Sequence, residues 1–368
     1  MKSPTCWLEL CQERLLHNLR GVRALAGKAE IMAVVKANAY GAGAIGMARV
    51  LSSAGVQAFG VGNVSEGVEL GESGIRGTIL CLSYFARDEV EALFEYGLTP
   101  TVFTLDAARL LSERARARRR RLRVWIKMDT GLGRLGVPFQ AAPDFIRQVG
   151  QQAHLEIEGL FSTLTENPER DPDQVKRLLQ VRRQVPEWAH LKLSLASSYG
   201  ILSLPDSYLD VVRPGIMLLG WEPSERERMD MDLVGQADLQ PVATWKTQVG
   251  YVKVVPRGEQ VGYGRRAPLS QDTPVATLTI GWADGCPPAM GDGGHVLYRG
   301  RRCPVLAVSA NSTMVDMTGS PEVTIGDEIV LLGKQGSEEI TAAEMAQAAG
   351  NVYRLLAAVP PRVPRTWS

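Results

Sequence analysis

From about residue 30 to residue 220 the chain alternates short apolar runs with segments whose apolar side chains recur three to four apart. The runs are IMAVVK (31–36), AFGVGN (58–63), TILCLS (78–83), PTVFT (100–104), LRVWIKMD (122–129), LEIEGLFS (155–162), LKLSLAS (191–197) and LDVVRPGIML (209–218). Between them lie amphipathic stretches such as AIGMARVLSSAG (44–55) and SEGVELGESGI (65–75). A helix between two strands is the crossover that parallel pairing needs. Eight such units predict a TIM-like (β/α)8 barrel rather than an open sheet.

After about residue 235 the pattern shifts to Val/Thr alternation in TWKTQVGYVKVV (244–255), PVATLTIGW (274–282) and EVTIGDEIVLLG (322–333), broken by Gly and Pro. This predicts a mostly antiparallel β domain ending in one helix near TAAEMAQAAGNVY (341–353). The expected division is a barrel over residues 1–235 and a β domain over 236–368, with the first dozen residues as a strand joined to the latter. The polar segment WEPSERERMDMDLVG (221–235) reads as the junction.

Composition narrows the class of ligand. With Lys+Arg at 41 against Asp+Glu at 40, the net charge is +1, so no global field draws the chain to nucleic acid or an anionic membrane, and a small ligand is expected. The run RARARRRRLR from Arg114 to Arg123 lacks interleaved aromatics and reads as a solvated helix end. No apolar run has the length of a signal peptide or of a membrane span, which points to the cytoplasm. Five cysteines are scattered without a CxxC pair and read as free thiols. Only four histidines occur and none lies in a rim motif, so neither a histidine triad nor a three-histidine metal site is expected.

In a parallel barrel the chemistry sits at the C-terminal ends of the strands. Lys36 follows four apolar residues there, where desolvation would depress its pKa and suit it to a Schiff base with a carbonyl. Alone, such a lysine more often reaches solvent or an ion pair. Arg213 lies at the same rim on the last strand, followed by Pro214 and Gly215, and Ser197 and Ser198 follow the seventh strand. Barrels often bind phosphate in the loops after strands seven and eight. A strand-one lysine facing such a phosphate nest suggests pyridoxal phosphate. Tyr263 sits between glycines in EQVGYGRR, a signal that by itself is more often a turn.

Read together, these segments resemble the alanine racemase family. The motifs are AVVKANAYG (33–41), IKMDTGLGRLG (126–136), VRPGIMLLG (212–220), VGYG (261–264), GWADG (281–285), TMVDMT (313–318) and RVPR (362–365), in family order over nearly the whole chain. The resemblance implies pyridoxal 5'-phosphate as cofactor and a head-to-tail homodimer acting on a small amino acid by a two-base mechanism. Lys36 would carry the cofactor and act as one base. Tyr263, from the partner subunit, would act on the opposite face. Arg134 would steady that tyrosine and the substrate carboxylate, and Lys127 matches a lysine often carbamylated in the family. Tyr40, Ser198, Gly215, Ile216 and Tyr353 would hold the phosphate, with Arg213 facing the pyridine nitrogen. Ala310 occupies a substrate-binding position.

Several positions depart from the family pattern. Thr163 and Ser194 stand where histidines are usual, and Ser309, Ala310 and Asn311 replace a Cys-Met-Asp segment. Trp282 replaces a tyrosine at the substrate entrance, and Pro288 and Ala307 replace arginines. The SSYG segment (197–200) is similar to a branch that includes the serine/alanine racemases of vancomycin resistance. The expected activity is racemisation of alanine or a related small amino acid such as serine. The alternatives are a lyase, epimerase or decarboxylase using the same cofactor, or a catalytically weak cofactor-binding protein.

Overall fold

The computed structural model describes residues 5–223, 226–264 and 266–368. It divides into two compact units: one of Leu16–Ala39 and Ala44–Gln240, the other of the chain up to Leu15, Tyr40–Gly43 and Pro241–Ser368. After β1 (Cys6–Leu10), which belongs to the second unit, the first unit contributes β2 (Glu30–Val34), β3 (Ala58–Val61), β4 (Thr78–Cys81), β5 (Thr99–Val102), β6 (Leu122–Asp129), a short β7 (Val137–Pro138), β8 (Leu155–Phe161), β9 (Lys192–Ser194) and β10 (Val211–Val212). The order is β10-β2-β3-β4-β5-β6-β8-β9, with β7 pairing only with β6. Every pairing is parallel. A parallel bridge between Ser197 and Arg213 joins the two ends, so the sheet is the expected barrel.

These strands are apolar almost throughout because both faces are covered, by helices outside and by packed side chains within. Met32, Leu80, Trp125, Phe161 and Val211 form one buried cluster. The rings of Trp125 and Phe161 meet edge-on with centroids 6.4 Å apart. Gly159 faces this contact for lack of space, since a Cβ there would lie 2.6 Å from the Trp125 ring. Helices begin at side-chain caps: Asn63 accepts from Glu66 N at 3.0 Å, and Thr104 accepts from Ala107 N at 3.3 Å. The basic run lies at the end of helix Leu105–Ala117, where Arg114 and Arg118 both pair with Glu91 on the surface.

The second unit holds β11 (Ala243–Val255), β12 (Thr273–Leu278), β13 (His295–Tyr298), β14 (Arg301–Val308), β15 (Thr313–Asp316), β16 (Glu328–Gln335), β17 (Glu338–Ile340) and β18 (Arg365–Trp367). Their order is β17-β16-β13-β14-β15-β12-β11-β1-β18, with β16 also pairing with β11. All pairings are antiparallel except β1 with β18. From Ala243 to Val249 alternate residues of β11 are buried, the period-two pattern its sequence predicts. β1 lays Leu8 opposite Trp245, both fully buried.

Several elements are shorter than their sequence patterns: LKLSLAS is a strand only over Lys192–Ser194 and LDVVRPGIML only over Val211–Val212. EVTIGDEIVLLG is a strand only from Glu328, because Gly326 turns the chain at φ +93° and Asp327 ties the turn by accepting from Thr324 N and Tyr298 Oη. The last helix runs from Ala342 to Ala349 and stops at Gly350, where φ is +93°. In the junction segment, Ser224 and Glu225 lie outside the described residues, and helix Met231–Ala237 is capped by Asp230.

Trp125 is the largest side chain wholly buried in the barrel cluster. Trp125→Ala should therefore destabilise the barrel by about 3–5 kcal/mol, read as a lower urea midpoint for the fluorescence transition. A loss under about 1 kcal/mol would mean that the barrel collapses around the cavity.

Candidate active site

β2 ends at Val34, and Val35 N still bonds Gly60 O of the neighbouring strand at 2.9 Å. Immediately after Lys36 the chain enters a left-handed turn, with φ of 53°, 53°, 52° and 54° at Ala37, Asn38, Ala39 and Tyr40. Each non-glycine residue in that region costs about 1–2 kcal/mol, so such a run persists only where surrounding bonds hold it. Here Ala37 N donates to Glu66 Oε1 at 2.7 Å, Ala39 N to Val35 O at 2.7 Å, and Ala44 N to Asn38 Oδ1 at 2.8 Å. Lys36 thus projects from a fixed corner rather than from the strand itself.

The Lys36 amine is held below the ordinary lysine pKa, first by burial and then by the guanidinium groups of Arg134 and Arg213, against the opposing charges of Glu66 and Glu166. Lys127 points inward from β6, with Nζ 3.3 Å from Thr163 Oγ1 and 4.4 Å from the Phe161 ring centroid. Burial, followed by the charges of Arg213, Arg134 and Lys36, pushes its pKa down to about 7.

Arg213 is buried, and its guanidinium lies 5.3 Å from the same Phe161 ring. It donates to Ser162 O at 2.6 Å, to Leu195 O at 3.3 Å and to Ser194 Oγ. Ser194 Oγ in turn donates to Val211 O at 2.6 Å. Every one of these acceptors is neutral. Burial alone pushes the Arg213 pKa down to about 10, which leaves it a cation at neutral pH. Where β9 and β10 meet, Ser198 Oγ accepts from Gly215 N at 2.8 Å and Met217 N at 3.3 Å, with Ile216 between them.

Lys36, Lys127, Arg134, Arg213, Ser198, Gly215 and Ile216 therefore gather at the C-terminal ends of the barrel strands. The remaining proposed site residues, Tyr40, Tyr263, Ala310 and Tyr353, belong to the second unit. There the rings of Tyr40 and Tyr353 lie 6.0 Å apart, and Arg365 fixes the preceding loop through two bonds to Gly41 O at 3.0 and 2.9 Å. Tyr263 is 87% exposed between Gly262 and Gly264, whose φ angles of +89° and +80° thrust it outward. Ala310 O accepts from Ala283 N, and Ser309 O accepts from Trp282 N, each at 2.9 Å, which docks the Trp282 turn on the Ser309–Ala310 segment.

The sequence reading passed over two groups that organise this site. Glu66 accepts from Ala37 N and Gly62 N, both at 2.7 Å. Its signal was the Asn63–Glu66 spacing of a helix cap, which predicts a bond to the helix rather than to a strand end. Gln174 is buried on helix Asp171–Gln184. It donates to Thr130 Oγ1 at 3.0 Å and Thr163 O at 2.9 Å, and accepts from Thr165 N at 2.8 Å, so it sets the loop after β8 that carries Thr163. No local pattern distinguishes it from a surface glutamine.

The folded chain holds Lys127 neutral above a pH of about 7, while the unfolded chain keeps that lysine protonated to about pH 10.4. The unfolded state then binds more protons across this window, so stability rises with pH through it. Lys127→Met should flatten the rise of the urea midpoint between about pH 7 and pH 10. An unchanged slope would mean that the folded protein keeps the ammonium.

Comparison with known proteins gives a consistent match. The family model described as alanine racemase, N-terminal domain, matches residues 10–223, and that for the alanine racemase C-terminal domain matches residues 242–367. The chain is 37% identical to an alanine racemase of Halothermothrix orenii over 98% of this chain and 96% of that one. Among solved structures it is similar to the alanine racemase of Clostridium difficile 630, with a TM-score of 0.91, 26% identity and coverage of 100% and 97% of the two chains. It is similar also to an alanine racemase of Bartonella henselae with covalently bound pyridoxal phosphate, with a TM-score of 0.85, 25% identity and coverage of 100% of both chains. By both its domains and its full-length relatives, the chain belongs to the alanine racemase family.

Proposed function

We propose that the cationic cluster at the barrel mouth is the cofactor and substrate site of an enzyme that interconverts L- and D-alanine, with Lys36 as one base and Tyr263 as the other. Family membership makes the chain an amino-acid racemase that uses pyridoxal phosphate. The observation that carries the site assignment is a charge imbalance. Arg134 and Arg213 both act on the titration of Lys36 and Lys127, yet among the described residues none of the four donates to a carboxylate. Lys127 and Arg213 are buried, Lys36 is half-buried and Arg134 is exposed; cations withdrawn from water without a bonded carboxylate fit an anionic guest, here a phosphate ester and an amino-acid carboxylate.

The donor set fits the cofactor part by part. Ser198 and the amides of Gly215 and Ile216, with the hydroxyls of Tyr40 and Tyr353, are proposed to hold the phosphate. Arg213 would face the ring nitrogen, and because a guanidinium keeps its protons, it would donate a hydrogen bond there without giving up the proton. When bound, pyridoxal phosphate supplies the electron sink that acidifies the α-hydrogen. Arg134 pairs with the substrate carboxylate, and Ala310 lines the substrate pocket.

Lys36 takes the α-proton of one enantiomer at Nζ, a role suited to an amine that burial and neighbouring cations keep neutral more readily than an exposed lysine. Inversion needs a proton on the opposite face, which one lysine cannot reach. The exposed phenol of Tyr263 is proposed to reach it from the second subunit of a head-to-tail homodimer, steadied there by Arg134. Lys127 is the proposed site of carbamylation, since an amine with a pKa of about 7 is available as the neutral nucleophile. The absence of any helix long and apolar enough to cross a membrane, among the described residues, is consistent with a proposed cytoplasmic location.

With L-alanine in D₂O the protein should yield D-alanine carrying α-deuterium, read by chiral chromatography and mass spectrometry. Lys36→Ala and Tyr263→Phe should each abolish turnover, and mixing the two chains should restore about one intact site per heterodimer. No D-alanine would sink the activity. No recovery despite proven subunit exchange would return both bases to a single chain.

A further inference from the structure

The carboxylate of Glu66 stands outside the machinery described so far, yet both its oxygens are committed to the lysine corner. Asn63 caps helix Val64–Glu72 by accepting from Glu66 N. A glutamate at that third helical position ordinarily folds back on the N–H of the cap residue. Here it passes the cap and accepts instead from Gly62 N, at the tip of β3, and from Ala37 N, the residue directly after Lys36, each at 2.7 Å. A Cβ on Gly62 would lie 3.2 Å from Glu66 Oε2 and 3.5 Å from Lys36 Cβ, so carboxylate, glycine and lysine stem occupy one tight corner.

We propose that Glu66 is the positioning residue for Lys36, pinning the left-handed turn that aims the lysine side chain and supplying the negative charge against which its amine is set. The proposal rests on Lys36 being the cofactor lysine. The Ala37 N–H has turned away from any strand partner, and the Glu66 carboxylate is its acceptor. With the carboxylate in place, Lys36 feels the cations Arg134 and Arg213 and the opposing carboxylates Glu66 and Glu166, with Lys127 within electrostatic reach. Of the two carboxylates, Glu66 is the one bonded to the lysine's own turn.

Glu66→Gln, Glu66→Asp and the wild type should be compared as full-length chains freed of cofactor with hydroxylamine. Acetylation of each lysine by acetic anhydride would be followed against pH by peptide mass spectrometry. Glu66→Gln should make Lys36 reactive at lower pH while Lys127 stays near its wild-type profile, and Glu66→Asp, which keeps the charge, should restore the Lys36 profile. Reloaded with pyridoxal phosphate, Glu66→Gln should lose on the order of tenfold to a hundredfold in kcat with little change in KM. An unshifted Lys36 profile with wild-type kcat would overturn the proposal. So would faster labelling of Lys36 and Lys127 together with a lower Tm, which marks general loosening. Borohydride trapping on the loaded wild type separates the premise from the inference. Label on a lysine other than Lys36 would sink the cofactor assignment, while the acetylation profile would still decide what Glu66 does to Lys36.

Discussion

Positive charge buried without a bonded carboxylate is the constraint on which the barrel mouth depends. Removing a charge from water costs several kcal/mol, and leaving it unpaired is the least favourable arrangement. The fold meets the cost in two ways. Arg213 retains its charge by spreading it over two carbonyls and a serine hydroxyl. Lys36 and Lys127, which can shed a proton, are shifted toward the neutral amine. The same arrangement thus prepares a fixed cation and two amines inclined to act as bases or nucleophiles.

That electrostatic arrangement needs a rigid frame, because field and proton transfer both depend on separation. The frame is local and covalently economical. The Ser197–Arg213 bridge closes the sheet at the point where Ser198 and Gly215 meet. Phe161 sits beneath both the Lys127 amine and the Arg213 guanidinium, giving each an aromatic face in place of solvent. Trp125 braces Phe161 from the side. The core of the barrel and the floor of the site are therefore the same side chains, which ties folding of the one to geometry of the other.

Much of this was legible in the sequence, and what was not has identifiable physical reasons. Eight apolar runs mapped onto eight barrel strands because a strand buried on both faces must be apolar at nearly every position. Lys36, Arg213 and Ser198 stood out because charged or hydroxyl residues ending such runs have few structural reasons to be there. The left-handed turn at Ala37–Tyr40 left no trace, since its sequence lacks the glycines that normally announce positive φ. Glu66 and Gln174 were hidden for a related reason: each bonds a segment far away in sequence, and local spacing reports only local partners. The strand expected from Glu322 began at Glu328 because alternation alone does not see a turn tied by Asp327.

The two hydroxyl residues that stand where the resemblance leads one to expect histidines show how such a site is altered without being dismantled. Ser194 still accepts from Arg213, and Thr163 accepts from Lys127, so each keeps an acceptor in place. Neither can carry a proton near neutral pH as an imidazole can. The consequence is electrostatic rather than geometric. Titration at the barrel mouth is left to the lysines, and the Arg213 guanidinium remains a fixed charge at neutral pH. A site built this way sets the state of its amines by burial first and by the arrangement of neighbouring charges second, which is why the backbone bonds that hold those groups in place matter as much as the groups themselves.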